Sequence, residues 1–148
     1  MGQKKDKHIL LVENEEHLLK ICDFMLKKDG FIVSTAKDGR EAFNIISSRK
    51  SLLLSIDLLI TDLNMPEMSG LDLIDEMNKE NIEIPVLTMS GNLDDSLLAL
   101  LTQRGCTNIL EKPFKPGEFL SHVHSAMESE KIMPLCNTEV IEDSGRDF

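Results

Sequence analysis

The residues best able to do chemistry stand at the ends of apolar runs. Glu13-Asn14-Glu15 follows residues 8–12, Asp62 follows 57–61, Ser90 follows 84–89 and Lys112 follows 107–110. Any strand ends in polar residues where it reaches solvent, so each position alone carries little weight. Four such groups on one edge of one sheet form a site. Carboxylates arriving from two strands repel unless a divalent cation lies between them, and an all-oxygen donor set suits Mg²⁺. A cation with open coordination positions then invites phosphate. Lys112 offers a positive charge and Ser90 a hydroxyl, the two group types that hold phosphoryl oxygens opposite a metal. Asp62 is the natural nucleophile, able to form an acyl phosphate once metal and ammonium neutralise the incoming charge. The chemistry expected is phosphoryl transfer onto the protein itself.

The elements that must position these groups alternate. Residues 8–12 read as a buried strand, and Leu18, Ile21, Cys22, Met25 and Leu26 follow at helical spacing. Gly30 supplies a helix stop before a second strand at 31–35, after which Ala42, Ile45, Ile46 and Arg49 mark a helical face. Residues 51–56 are apolar but ambiguous, whereas 57–61 read as a third strand ending at Asp62. A loop with Pro66 and Gly70 leads to a helix marked by Leu71, Ile74 and Met77. A fourth strand at 84–89 precedes a helix carrying Leu93, Leu97, Leu98 and Leu101, closed by Gly105. A fifth strand at 107–110 and a helix with Phe119, Leu120, Val123, Ala126 and Met127 complete five βα units.

Strict alternation implies an α/β fold, because right-handed crossovers lay helices over both faces of a parallel sheet. Five units are too few to close an eight-stranded barrel. The expected architecture is an open, doubly wound, flavodoxin-like five-stranded parallel sheet of order 2-1-3-4-5. Ligands then bind beyond the carboxyl ends of the strands, at the switch point between strands 1 and 3.

The 148 residues suit one domain, and 41% hydrophobic with 28% charged side chains supports a single core. Sixteen Lys and Arg against 26 Asp and Glu give a net charge of −10, which repels phosphate backbones and anionic lipid. Direct contact with nucleic acid or membrane is therefore not expected. No stretch reaches the ~20 apolar residues of a membrane span, and the first seven residues lead into no secretory h-region. The expected location is cytoplasmic. Cys22, Cys106 and Cys136 form no CxxC and have no His spaced for zinc, so they are read as free thiols. His8, His17, His122 and His124 are scattered and suit packing or solvated roles, and the eight methionines suit gap filling.

Asp62-Leu-Asn-Met-Pro-Glu-Met-Ser-Gly70 resembles the phosphoacceptor loop of bacterial response-regulator receiver domains. The likeness extends, in the same order, to Leu10-Leu-Val-Glu-Asn-Glu15, Pro85-Val-Leu-Thr-Met-Ser-Gly91 and Glu111-Lys-Pro-Phe114, covering roughly residues 8–128. The resemblance implies that Asp62 accepts phosphate from a sensor histidine kinase or a phosphotransfer protein. It implies that Glu13 and Asp62 hold Mg²⁺ together with the backbone carbonyl of Asn64, and that Ser90 and Lys112 sense the phosphoryl group. It also implies a cis bond before Pro113, which a tertiary amide makes accessible. A signalling domain of this type is a phosphoacceptor rather than an enzyme. Its output goes to a downstream protein target or to an output domain missing from this chain.

Two positions, 14 and 109, depart from the family pattern. Receivers usually carry two acids at the end of strand 1, and Asn14 stands in the second place. Its amide oxygen still offers a metal ligand, but with one charge fewer, so weaker Mg²⁺ binding is expected. Asn14 is equally well placed to cap the following helix. Ile109 stands where receivers commonly have an aromatic residue that couples phosphorylation to the face formed by helix 4, strand 5 and helix 5. Another element must then carry the signal to that face, through which a homodimer is one expected assembly. Asn92 is expected to cap helix 4, with a second role beside the path of the hydrolytic water.

The chain divides into a receiver at 1–128 and an acidic tail or linker at 129–148, where Ile132, Met133, Leu135, Val140 and Ile141 offer a docking segment. The competing reading is a pseudo-receiver, a protein-interaction module that is not phosphorylated, motivated by Asn14 and Ile109. An aspartyl-phosphate hydrolase of the haloacid dehalogenase type needs a second Asp where Asn64 stands. A nucleotide-binding module is disfavoured because the loop after strand 1 has no glycine.

Overall fold

A computed structural model describes residues 7–51, 55–65 and 67–128, with the side chains of 49–51 excepted. The elements run β1 His8–Val12, α1 Glu16–Lys28, β2 Ile32–Ala36, α2 Gly39–Ser51, β3 Leu58–Asp62, α3 Gly70–Lys79, β4 Val86–Ser90, α4 Asp95–Gln103, β5 Asn108–Glu111 and α5 Pro116–Glu128. All neighbouring strands are parallel, in the order β2-β1-β3-β4-β5. The expected fold is the one observed.

Strand bounds differ from the sequence reading by one or two residues. β2 and β3 begin one position later, and Asp62 is the last residue of β3 rather than the residue after it. Asp57 stands just outside, where its carboxylate accepts a hydrogen bond from the His8 backbone N–H at 2.7 Å. Of the ambiguous stretch at 51–56, Ser51 closes α2 and 52–54 lie outside the described residues, as does the tail at 129–148 with its docking segment.

β1 and β3 are buried along their whole length, as a parallel sheet covered on both faces requires. Pleating sends alternate side chains to opposite faces. Ile9, Leu11, Leu58, Ile60, Leu87, Met89 and Leu110 meet Cys22 and Leu26 of α1 and Phe119 and Val123 of α5. Leu10, Val12, Leu59 and Ala36 meet Ala42 and Ile46 of α2 and Leu73 and Met77 of α3. Each fully buried Leu or Ile contributes about 1.5–3 kcal/mol of transfer free energy, so the central strands hold the sheet together. A third cluster gathers Leu63, Ile74, Leu101 and Cys106, with Ile109 against it.

Two helix faces are less buried than their periodicity suggests. Ile21 of α1 is 46% exposed, and of α4 only Leu101 is buried while Leu98 is left partly open to solvent. Helical spacing marks an apolar stripe but not its width. Both predicted helix stops hold: Gly30 and Gly105 take positive φ angles of 99° and 80°, the left-handed conformation that ends a helix at little cost to glycine.

Candidate functional site

The pleat explains why three of the expected side chains meet. Glu13 continues the parity of Ile9 and Leu11, Asp62 that of Leu58 and Ile60, and Lys112 that of Leu110, so all three belong to the α1 and α5 side of the sheet. Backbone ladders carry two of them one residue past their strands. The Glu13 N–H donates to the Ala36 carbonyl at 3.1 Å and the Lys112 N–H to the Ser90 carbonyl at 2.8 Å. β1 and β3 are in register with Val12 opposite Thr61, which sets Glu13 and Asp62 side by side at the switch point.

Lys112 Nζ lies 3.0 Å from Glu13 Oε1 and 3.3 Å from Asp62 Oδ1. Both carboxylates are almost wholly buried, and the Lys112 side chain is 21% exposed. The repulsion between the two acids is thus relieved by an ammonium reaching across from β5. Sequence reasoning placed Lys112 opposite a metal and missed this pairing, which needs the strand order and the pleat together. Glu13 Oε2 also accepts a hydrogen bond from the Glu15 backbone N–H at 3.0 Å.

Burial pushes the Glu13 carboxyl above its usual value; the Glu15 N–H and Lys112 act against this, and the charge of Asp62 adds to it. For Lys112, burial favours loss of the proton. The hydrogen bond to Glu13 and the charges of Glu13 and Asp62 outweigh it, so its affinity for the proton rises.

Ser90 ends β4 fully buried, and its Oγ accepts a hydrogen bond from the Asn92 backbone N–H at 3.2 Å. Asn14 and Asn64 are exposed at the same edge. A groove of about 300 Å³ opens beside Glu13, bordered by Asn14, Glu16, Lys20, Asp23 and Lys37. Among the described residues no three His, Cys, Asp or Glu side chains gather to hold a metal. A cation here would rest on the two carboxylates and on neutral oxygens. That set still suits Mg²⁺, which binds through one or two carboxylates and keeps several waters.

The family model of the response regulator receiver domain matches residues 9–124. The chain belongs to the response regulator receiver domain family. It is 26% identical over 120 residues to the response regulator SaeR of Staphylococcus aureus, a match covering 81% of this chain and 50% of that protein. The chain spans about half the length of the curated relatives it matches. Among solved structures it is similar to a response regulator receiver domain protein from Clostridium thermocellum, with 28% identity, a TM-score of 0.74, and coverage of 85% of this chain and 98% of that one. It is likewise similar to the receiver domain of a putative Luxo repressor protein from Vibrio parahaemolyticus, with 26% identity, a TM-score of 0.77, and coverage of 90% and 99%.

Two capping assignments are corrected in this receiver. The N-cap of α1 is Glu15, with no side-chain cap bond, so Asn14 stands outside the helix. The N-cap of α4 is Asp94, whose carboxylate accepts from the Leu97 N–H at 2.9 Å, and Asn92 lies two residues earlier. An aspartate sits better there than an amide because its charge faces the positive end of the helix dipole. The Lys112–Pro113 bond is cis, as the resemblance implied.

Gly70 is a further residue the site depends on. A Cβ there would lie 2.5 Å from the Asp62 carbonyl oxygen and 2.9 Å from Leu63 Cα, so the start of α3 presses directly on the strand end that carries Asp62. Its signal in the sequence is the glycine just after Ser69, which forms a capping box with Asp72. The histidines make ordinary contacts: His8 Nε2 lies 2.8 Å from Ser34 Oγ, and His124 Nε2 lies 2.8 Å from Asp29 Oδ2. Cys22 and Cys106 are free and buried, their thiols pushed up by burial to about 12 and about 11.

Proposed function

We propose that this receiver is a phosphoacceptor switch in which Asp62 takes a phosphoryl group from a phosphohistidine on a sensor kinase or phosphotransfer protein. The observation that carries the reading is the buried Asp62 carboxylate, 3.3 Å from a lysine ammonium that also binds the neighbouring acid Glu13. Asp62 attacks phosphorus through a carboxylate oxygen, the P–N bond of the donor breaks, and its electron pair leaves with the imidazole, which takes up a proton. Glu13, Asp62 and the Asn64 carbonyl, with the Asn14 amide as a weaker donor, would hold Mg²⁺, which when bound neutralises phosphoryl oxygens. Lys112 stabilises the charge that builds on the transferred group, and the Ser90 hydroxyl turns from its own loop to donate to a phosphoryl oxygen. Hydrolysis returns the carboxylate and releases phosphate.

Function then follows from a change of shape passed to a downstream protein target or to an output domain on a longer chain. Residues 1–128 serve as the receiver and 129–148 as tail or linker. The face formed by α4, β5 and α5 is the surface proposed for a homodimer. The protein does no chemistry on other molecules beyond taking and losing its own phosphate.

One observation favours the second reading, a pseudo-receiver that is not phosphorylated. Lys112 already neutralises part of the acid pair, so the fold does not need a cation to tolerate it. The nature of the bond separates the two. After incubation with acetyl phosphate and Mg²⁺, neutral hydroxylamine should release the added phosphate and leave a hydroxamate on the peptide bearing Asp62. A hydroxamate absent from that peptide contradicts the phosphoacceptor reading.

A further inference from the structure

Helix α4 is thinly attached to the molecule. Of Asp95–Gln103 only Leu101 is buried, and Leu98 and Leu100 are 37% and 39% exposed. Its far end is held by buried Leu101 and by one polar side chain. Arg104, the C-cap of α4, places Nε 2.6 Å and Nη2 3.2 Å from the two carboxylate oxygens of Asp75 on α3. Its Nη1 donates to the Leu100 carbonyl at 3.0 Å, one of the end carbonyls that the helix cannot satisfy itself. The same guanidinium thus finishes α4 and ties it to α3 through a two-pronged contact that fixes orientation as well as distance.

This pair closes a ring of elements around the site. From Asp62 the chain turns through Leu63 into α3, whose first residue, Gly70, presses on the Asp62 carbonyl. From Ser90 it turns through Asn92 to the Asp94 cap and into α4. The two arms meet at Asp75 and Arg104. Beneath them lies the cluster of Leu63, Ile74, Leu101 and Cys106, against which Ile109 packs. In this arrangement the Ser90 hydroxyl is engaged by its own loop. Turning that hydroxyl towards Asp62 gives up its hydrogen bond with the Asn92 N–H, two residues before the Asp94 cap of α4, while Arg104 restrains the other end of the helix.

We propose that the Asp75–Arg104 pair is a latch that holds α4 in the arrangement seen and so opposes phosphoryl acceptance at Asp62. This rests on the phosphoacceptor reading above. The pair joins α3, which follows the Asp62 loop, to the end of α4, which follows the Ser90 loop. A partly exposed, bidentate pair shifts such an equilibrium by about three- to fivefold.

The test compares wild type with Asp75→Asn, Arg104→Gln and the double variant. Amide hydrogen exchange in α4 and the rate of phosphoryl gain from acetyl phosphate with Mg²⁺ are measured on each. Each single variant should speed both by about three- to fivefold, and the double variant no more than Arg104→Gln alone, which already removes the Asp75 contact together with the one to Leu100. Unchanged exchange in α4 overturns the latch. Faster exchange with an unchanged rate of phosphoryl gain, in a wild type that does gain it, overturns the coupling. A wild type that takes no phosphoryl group sinks the phosphoacceptor reading and the coupling with it, while the exchange rates still report whether the pair holds α4.

Discussion

Lys112 Nζ donates a hydrogen bond to Glu13 Oε1 at 3.0 Å, joining residues 99 positions apart and the ends of strands separated by β3 and β4. Removing the ammonium leaves two buried carboxylates facing each other without a counter-charge. Lys112→Met is expected to destabilise the protein by about 3 kcal/mol. Part of that should return on adding Mg²⁺, which thermal unfolding with and without the cation will show. The same variant should take up phosphate about a hundredfold more slowly, because the transferred group loses its fixed positive charge.

Stability should respond to pH at both ends of the site. Glu13 has its pKa raised above 4.5, chiefly by burial, so the folded state holds this proton more tightly than the unfolded chain does. Its favourable contribution is present below 4.5 and is lost as pH rises through the higher folded value. Lys112 is also raised, from 10.5; the Glu13 hydrogen bond and the acid charges outweigh the opposing effect of burial. Its contribution is fully present below 10.5 and is lost as pH rises through the folded value. Urea unfolding against pH should show both slopes, with Glu13→Gln removing the acidic one and Lys112→Met the alkaline one.

Asn14→Asp restores a second acid beside Glu13 and adds one charge to the proposed cation site. It is expected to tighten Mg²⁺ binding about tenfold, worth about 1.4 kcal/mol. Calorimetric titration with MgCl₂ measures it directly. An unchanged affinity would mean that the side chain at position 14 is not a ligand.

Gly70→Ala forces a Cβ against the backbone of Asp62 and Leu63, with neither able to swing aside. A loss of about 1–3 kcal/mol is expected in denaturant unfolding. Gly117→Ala is the control. Nothing lies within 4 Å of its Cβ position, in the first turn of α5, and a gain of about 0.4–1 kcal/mol is expected from the less flexible unfolded chain.

Element types were legible because buried parallel strands and amphipathic helices leave different periods, as 8–12 and the Leu18 to Leu26 stripe do, and strand order followed from their strict alternation, which implies a doubly wound sheet. The family motifs carried Asp62, Ser90 and Lys112 to the correct strand ends. The pairing of Lys112 with Glu13 was not legible from any one segment; it depends on strand order and on pleat parity at three strands. The cap of α4 was misplaced because Asn92 and Asp94 are both good capping residues, and only the path of the chain from Ser90 chooses between them. The exposure of Ile21 and Leu98 reflects how little a periodic stripe says about what covers it. Asp75 and Arg104, 29 residues apart on two surface helices, left no local signal at all.

The most direct test of the central claim is the intact mass of the protein after exposure to acetyl phosphate, with and without Mg²⁺, in wild type and Asp62→Asn. The account predicts a gain of one phosphoryl group by wild type, dependent on Mg²⁺ and absent from Asp62→Asn. A wild type that stays unmodified at saturating donor and Mg²⁺, or an Asp62→Asn variant that gains the same mass, would contradict it.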